Sequence, residues 1–283
     1  MLLVHAHPDD ESITTGATMA ALVQAGVQVT LVTCTRGEKG EVIGDERDHL
    51  RADEEALARH RAGELATAMA RLGVSDHRFL GEGADRSGNS GIRFRDSGMV
   101  WGPDGTPVPP PEVDTDALCA VPLDVAARSL LPVLHETAPD AVICYDPGGG
   151  YGHPDHVRAH DLTARALLLA AAQGRDVPRY AVVVPEPVMR RAVERLARLD
   201  LPTLDPVAWP SMVVPAAAAD VVLGGEGYRA AKALALRAHA SQVVVAGDDT
   251  ALALSNGVWQ PLLPSEWLRR EDVALGPRRI SFR

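Results

Sequence analysis

Val4-His5-Ala6-His7-Pro8-Asp9-Asp10-Glu11-Ser12 decides the fold, because a chemically loaded turn follows directly on a short apolar run. Met1 to Val4 reads as a buried strand. Thr14 to Gln24 then reads as an amphipathic helix, with Ser12 and Thr14 as its expected caps. His7, Asp9 and Asp10 therefore fall on a strand-to-helix turn at a strand's carboxyl end, where open α/β sheets bind ligands. One imidazole and two carboxylates are unfavourable beside a buried strand without a partner. They suit a divalent cation, with zinc the first expectation because histidine is present.

A second stretch answers the first. Ala141 to Tyr145 is another short apolar run, and it leads into Asp146-Pro147-Gly148-Gly149-Gly150-Tyr151-Gly152-His153-Pro154-Asp155-His156. The prolines and glycines force a loop, and Pro154 fits the first turn of a following helix. If the two strands are neighbours in a parallel sheet, His7, Asp10 and His156 converge as a two-histidine, one-carboxylate set. Three protein ligands plus a water is the coordination of a catalytic zinc.

The stretches between and beyond these two motifs alternate in the same way. Val27 to Cys34 and His77 to Leu80 read as strands, Arg51 to Leu72 and Asp124 to Glu136 as helices. Asp155 to Gln173 reads as a helix, Arg179 to Val184 as a strand, and Val188 to Leu199 and Tyr228 to His239 as helices. The alternation predicts an α/β fold, Rossmann-like, with a mainly parallel doubly wound sheet. Residues 1–173 are expected to form the metal-binding catalytic part. Residues 174–283 are expected to form a smaller, irregular C-terminal part that closes the substrate pocket. Gly81 to Pro111 is irregular and reads as a lid or mobile loop. No Gly-x-Gly-x-x-Gly follows the first strand, which disfavours a dinucleotide.

Composition narrows the partners. A net charge of −10 argues against nucleic acid and against anionic membrane surfaces, since both recruit basic patches. Ala164 to Ala172 is apolar but too short to span a bilayer. Cys34, Cys119 and Cys144 lack metal or redox spacing and read as reduced thiols. With no leader expected, these features predict a cytoplasmic protein.

His-Pro-Asp-Asp-Glu after one strand and Gly-His-Pro-Asp-His after a later one resemble the zinc-dependent de-N-acetylases of the PIG-L/LmbE-like family. Within it the chain is most similar to the mycothiol-biosynthesis branch, which acts on N-acetylglucosaminyl-inositol. Further matching segments run from Thr33 to Asp45, Arg95 to Met99, His239 to Val245 and Leu254 to Asn256. The resemblance implies one zinc per subunit held by His7, Asp10 and His156, with iron(II) or cobalt fitting the same ligands. It implies that Asp9 is the general base and that His153, assisted by Tyr151, stabilises the oxyanion. Arg61 and Asp96 match segments that contact the sugar and inositol. Glu11 and Asp155 are expected to orient ligands or cap helices. His5 and His160 are expected behind or beside the site.

The implied activity is hydrolysis of an acetamide on a small acetamido sugar, giving the free amine and acetate. Two alternatives stand beside it. The same scaffold serves amidases of mycothiol S-conjugates, which carry a lysine where this chain has Thr14. The other alternative is a metal-containing sugar-binding protein without turnover, against which Asp9 and His153 both argue.

Overall fold

Leu2, Leu3 and Val4 are fully buried, and the strand they form lies in the interior of a sheet with helices on both sides. The computed structural model describes residues 1–82, 91–103, 106–198, 202–203 and 209–271. In chain order the elements are β1 Leu2–His5, α1 Asp10–Gln24, β2 Thr30–Thr33, α2 Glu54–Leu72, β3 Asp76–Phe79, β4 Val100–Trp101 and β5 Pro107–Val108. They continue with α3 Leu123–Thr137, β6 Val142–Cys144, α4 Pro154–Ala171, β7 Arg179–Pro185, α5 Glu186–Ala197, β8 Val213–Val214 and β9 Val221–Gly224. The remainder are α6 Arg229–Leu236, β10 Val244–Val245, β11 Ala251–Ala253, β12 Trp259–Pro261 and β13 Ser265–Glu271.

The main sheet runs β3-β2-β1-β6-β7-β13-β9, with β8 paired to the end of β7. From β3 to β7 every pairing is parallel, and β13 pairs antiparallel with both β7 and β9. Alternation along β1 sends Leu2 and Val4 to one face and Leu3 to the other. On the first face they join Leu130 and Leu134 of α3 and Leu162 and Ala166 of α4. On the second, Leu3 joins Met19 of α1, Leu65 and Met69 of α2 and Ala235 of α6. The fold is therefore an α/β doubly wound sheet.

Part of the C-terminal region extends the main sheet, while β10, β11 and β12 form a small sheet of their own. β7, β13 and β9 all lie beyond residue 173, yet they continue the sheet that β1 and β6 belong to. Sequence patterning leaves β13 unassigned, as it does β4, β5 and β8 to β12. The buried positions of β13 are Glu266 and Leu268, and a buried carboxylate breaks the apolar alternation that marks a strand.

Two helix starts differ from expectation by three residues or more. α1 begins at Asp10, four residues before Thr14, because Asp9 turns the backbone at φ 103° and places Asp10 and Glu11 in the first turn. Carboxylates are favourable at that end of a helix dipole. Neither Ser12 nor Thr14 caps it: the Ser12 hydroxyl donates to Glu11, and Thr14 donates back to the Asp10 carbonyl. α2 starts at Glu54, where Asp53 accepts the Ala56 N–H. Of the expected irregular segments, residues 83–90, 104–105, 199–201 and 204–208 lie outside the described residues.

Candidate metal centre and active site

β1 and β6 pair in parallel, Leu2 opposite Val142 and Leu3 opposite Ile143, so both loaded turns leave the same end of adjacent strands. His7, Asp10 and His156 are brought together there, all buried. Asp10 Oδ2 lies 3.3 Å from His7 Nδ1 and 3.2 Å from His156 Nε2.

Contacts on the far side of each ring decide which nitrogen faces the site. His7 Nε2 lies 3.1 Å from Asp155 Oδ2 and 3.5 Å from Asp96 Oδ1, so it carries a proton and leaves Nδ1 for the site. His156 Nδ1 lies 3.2 Å from the Gly149 carbonyl, which only accepts, so the lone pair falls on Nε2. That Nε2 is buried without a hydrogen-bond partner. Two imidazole lone pairs and a carboxylate oxygen fit a divalent cation, which would satisfy the orphaned nitrogen.

His153 supplies a third imidazole whose donor atom lies within 4.8 Å of those of His7 and His156. Its Nδ1 accepts the Asp155 N–H at 3.1 Å as the N-cap of α4. In a neutral ring this leaves the proton on Nε2, an arrangement suited to donating a hydrogen bond into the site. Burial, then the neighbouring His7 and His156, hold its pKa well below the usual histidine value, so it is neutral. Tyr151 stands at the rim, 43% exposed, with its ring edge-on to His156 at 5.1 Å and to His153 at 6.1 Å.

The carboxyl groups divide by environment. Burial works against the charge of Asp10, but His156 and His7 outweigh it and hold its pKa well below the usual range. Burial raises Asp9 to about 7, with Arg61 opposing and Asp10 adding to the rise. A carboxyl near neutrality can both take and return a proton. Burial opposes charge on His7, yet Asp96, Asp10 and Asp155 hold its pKa well above the usual value.

Asp9 is also strained: φ 103°, ψ −38° is rarely adopted by residues other than glycine and costs on the order of 1–3 kcal/mol. Its Oδ2 accepts from Arg61 Nη2 at 3.1 Å, and the same nitrogen donates to the Pro8 carbonyl at 2.6 Å. Gly37 makes room for that guanidinium, since a Cβ there would lie 2.1 Å from Arg61 Nη1. Asp96 accepts from Gly98 N at 2.8 Å and Lys39 N at 3.2 Å. Arg61 and Asp96 thus turn toward Asp9 and His7, within the group that sequence reading assigns to chemistry.

A cavity of about 650 Å³ opens beside them, lined by residues 39–44 with Arg51 and Ser255. Its wall at Gly40 is backed by Arg61 and Gln242, whose side chains a Cβ on Gly40 would strike at 2.5 and 2.6 Å.

Two buried residues that hold this site escape sequence reading. Tyr145 donates to Asp10 Oδ2 at 2.7 Å, accepts the Ala6 N–H at 2.9 Å and stacks on His156 at 4.3 Å. As an aromatic ending a strand it looks like core, and only its place just before the glycine-rich loop could have marked it. His239 pairs with Glu11 at 2.8 Å across more than two hundred residues, a contact that no local pattern signals. His5 is buried against Thr15, and His160 against the Tyr145 carbonyl.

Residues 2–167 match the family described as PIG-L, GlcNAc-PI de-N-acetylase. The chain is 50% identical over 293 residues to the 1D-myo-inositol 2-acetamido-2-deoxy-alpha-D-glucopyranoside deacetylase of Kineococcus radiotolerans, covering 98% of this chain and 79% of that protein. It is 44% identical to the protein of the same name from Streptomyces griseus subsp. griseus, over 94% of this chain and 81% of that one. The solved structure of the A40926 pseudoaglycone deacetylase superposes with a TM-score of 0.56 at 17% identity, covering 97% of this chain and 98% of that one. At that identity the likeness speaks for the fold.

Proposed function

This chain belongs to the PIG-L family of GlcNAc-PI de-N-acetylases, and on that premise we propose that it hydrolyses the acetamide of N-acetylglucosaminyl-inositol to the free amine and acetate. The observation that carries the reading is the convergence of His7, Asp10 and His156 beside a buried Asp9 of near-neutral pKa and a neutral, donating His153. The proposed cofactor is zinc, one per chain, with His7 Nδ1, Asp10 and His156 Nε2 as its ligands. When bound, the cation acidifies a water and polarises the acetamide carbonyl.

The chain's own groups then have defined work. Asp9 takes a proton from the attacking water as its oxygen bonds to the carbonyl carbon. The Nε2–H of His153 donates to the oxyanion of the tetrahedral intermediate, and Tyr151 at the rim assists. The protonated Asp9 returns its proton to the departing nitrogen, the C–N bond breaks, and acetate and amine leave. Arg61 holds the Asp9 carboxylate at 3.1 Å and with Asp96 edges the space a sugar would enter.

Thr14 bears on the choice between deacetylase and S-conjugate amidase. Its hydroxyl is bonded to the Asp10 carbonyl at 2.7 Å, so the side chain is short, neutral and already partnered. The relatives named above are deacetylases, which supports the same choice. The test compares kcat/KM for N-acetylglucosaminyl-inositol and for a bimane conjugate of mycothiol with metal-loaded protein. The acetylated sugar is expected to be the better substrate; more efficient cleavage of the conjugate replaces this reading with the amidase.

A further inference from the structure

Asp9 occupies the N-cap position of α1, where an aspartate side chain ordinarily bonds to an N–H of the first turn. It makes no such bond. Its own N–H is taken instead by Glu11 Oε2 at 2.9 Å. Glu11 is fully buried, and its other oxygen is held by His239 Nε2 at 2.8 Å and by the Ser12 hydroxyl at 2.5 Å. His239 is fully buried as well and arrives from the far end of the chain. It sits in the turn after α6, with its N–H on the Leu236 carbonyl and its carbonyl accepting from Gln242 and Val243.

The Asp9 side chain is thereby free of the capping role, and Arg61 holds it on the site side. The backbone half of the residue, in a conformation that aspartate rarely adopts, is held by the Glu11 carboxylate. We infer that Glu11 and His239 are positioning residues for the deacetylation: the chain from His239 through Glu11 to the Asp9 N–H keeps this backbone turned so that the carboxyl faces the attacking water. Ser12 steadies the same Glu11 oxygen. His239 lies outside residues 2–167, so a residue beyond the family-matching segment completes the geometry of its base.

The inference rests on Asp9 being the general base, and a double-mutant cycle keeps the two claims apart. Native protein, His239→Ala, Asp9→Asn and the double variant, each metal-loaded, are compared for kcat, KM and bound metal. His239→Ala is expected to lower kcat about 10- to 100-fold, as loss of an orienting partner does, with KM and metal content held. In the Asp9→Asn background the same change is expected to cost less than about threefold, because the group it positions is already gone. His239→Gln, which retains a donor, is expected to recover most of the loss.

Equal losses in both backgrounds would show general damage and overturn the inference, as would an undiminished kcat or a loss of metal in His239→Ala. Near-normal turnover by Asp9→Asn alone would sink the base assignment instead. Should the alanine variant not fold, His239→Asn, polar but too short to reach Glu11, goes through the same cycle against the same outcomes.

Discussion

Asp9 combines three features that a structural residue would avoid: a buried carboxyl, a neighbouring carboxylate and a left-handed backbone. Stability alone does not favour that combination, and function does where a proton must move both ways. Asp9→Asn keeps the shape, and asparagine is among the residues that best tolerate positive φ. The variant is expected to bind metal as the native protein does while kcat falls about 10²- to 10⁴-fold. Metal analysis and turnover on one preparation check it; near-normal turnover would remove Asp9 from the chemistry. That His7, Asp9, Asp10, His153 and His156 lie together was legible in the sequence, because two short motifs bring ligand-type residues to strand ends. Tyr145 and His239 were not, since each acts through a contact made only by the folded chain.

At the scale of elements, the site is the junction of two strand-to-helix units, β1–α1 and β6–α4, each ending its strand with the residues proposed for the chemistry. Tyr145, one residue past β6, ties the units together through its bonds to Asp10 and Ala6 and its stack on His156. Tyr145→Phe removes the hydroxyl but keeps the ring. It is expected to weaken metal affinity about 10- to 100-fold, because the orienting bond to Asp10, the proposed ligand, is lost. The buried Ala6 N–H left without an acceptor adds a stability loss of about 1–3 kcal/mol. Equilibrium dialysis against a metal buffer reads the first effect; an unchanged dissociation constant would reduce Tyr145 to packing. The helices α1 to α6 and the strands β1, β2, β3, β6 and β7 were readable from hydrophobic period, but their boundaries and the remaining strands were not. The backbone turn at Asp9 starts α1 four residues before Thr14, and nothing in the amphipathic pattern encodes that turn. β13 was hidden because its inward positions include Glu266.

At the scale of the whole molecule, α6 and β13 are tied to α1 through buried polar contacts. The chain has only two lysines, and one of them, Lys232 on α6, is 2% exposed. Its Nζ bonds Glu266 of β13 at 2.6 Å and the Leu263 carbonyl at 3.0 Å, while Glu266 also accepts the N–H groups of Ala17 and Thr18 in α1. Gly16 leaves space for the lysine stem, since a Cβ there would lie 3.2 Å from Lys232 Cγ. Lys232→Met strands the buried carboxylate and is expected to cost about 3–5 kcal/mol in urea unfolding. A loss below about 1 kcal/mol would mean that the C-terminal strands are held by apolar packing alone.

Among the described residues no helix is long and apolar enough to cross a membrane. The sheet that joins both halves brings Glu11 of α1 against His239 after α6, so one fold presents one site. The central claim is that one cation, held by His7, Asp10 and His156, makes this molecule an acetamide hydrolase. The direct measurement strips the protein of metal, reloads it in steps and records acetate released from N-acetylglucosaminyl-inositol against metal bound per chain. The account predicts no release at zero metal and a linear rise that levels at one metal per chain. Release that survives complete stripping, or that begins only after a second metal has bound, would contradict it.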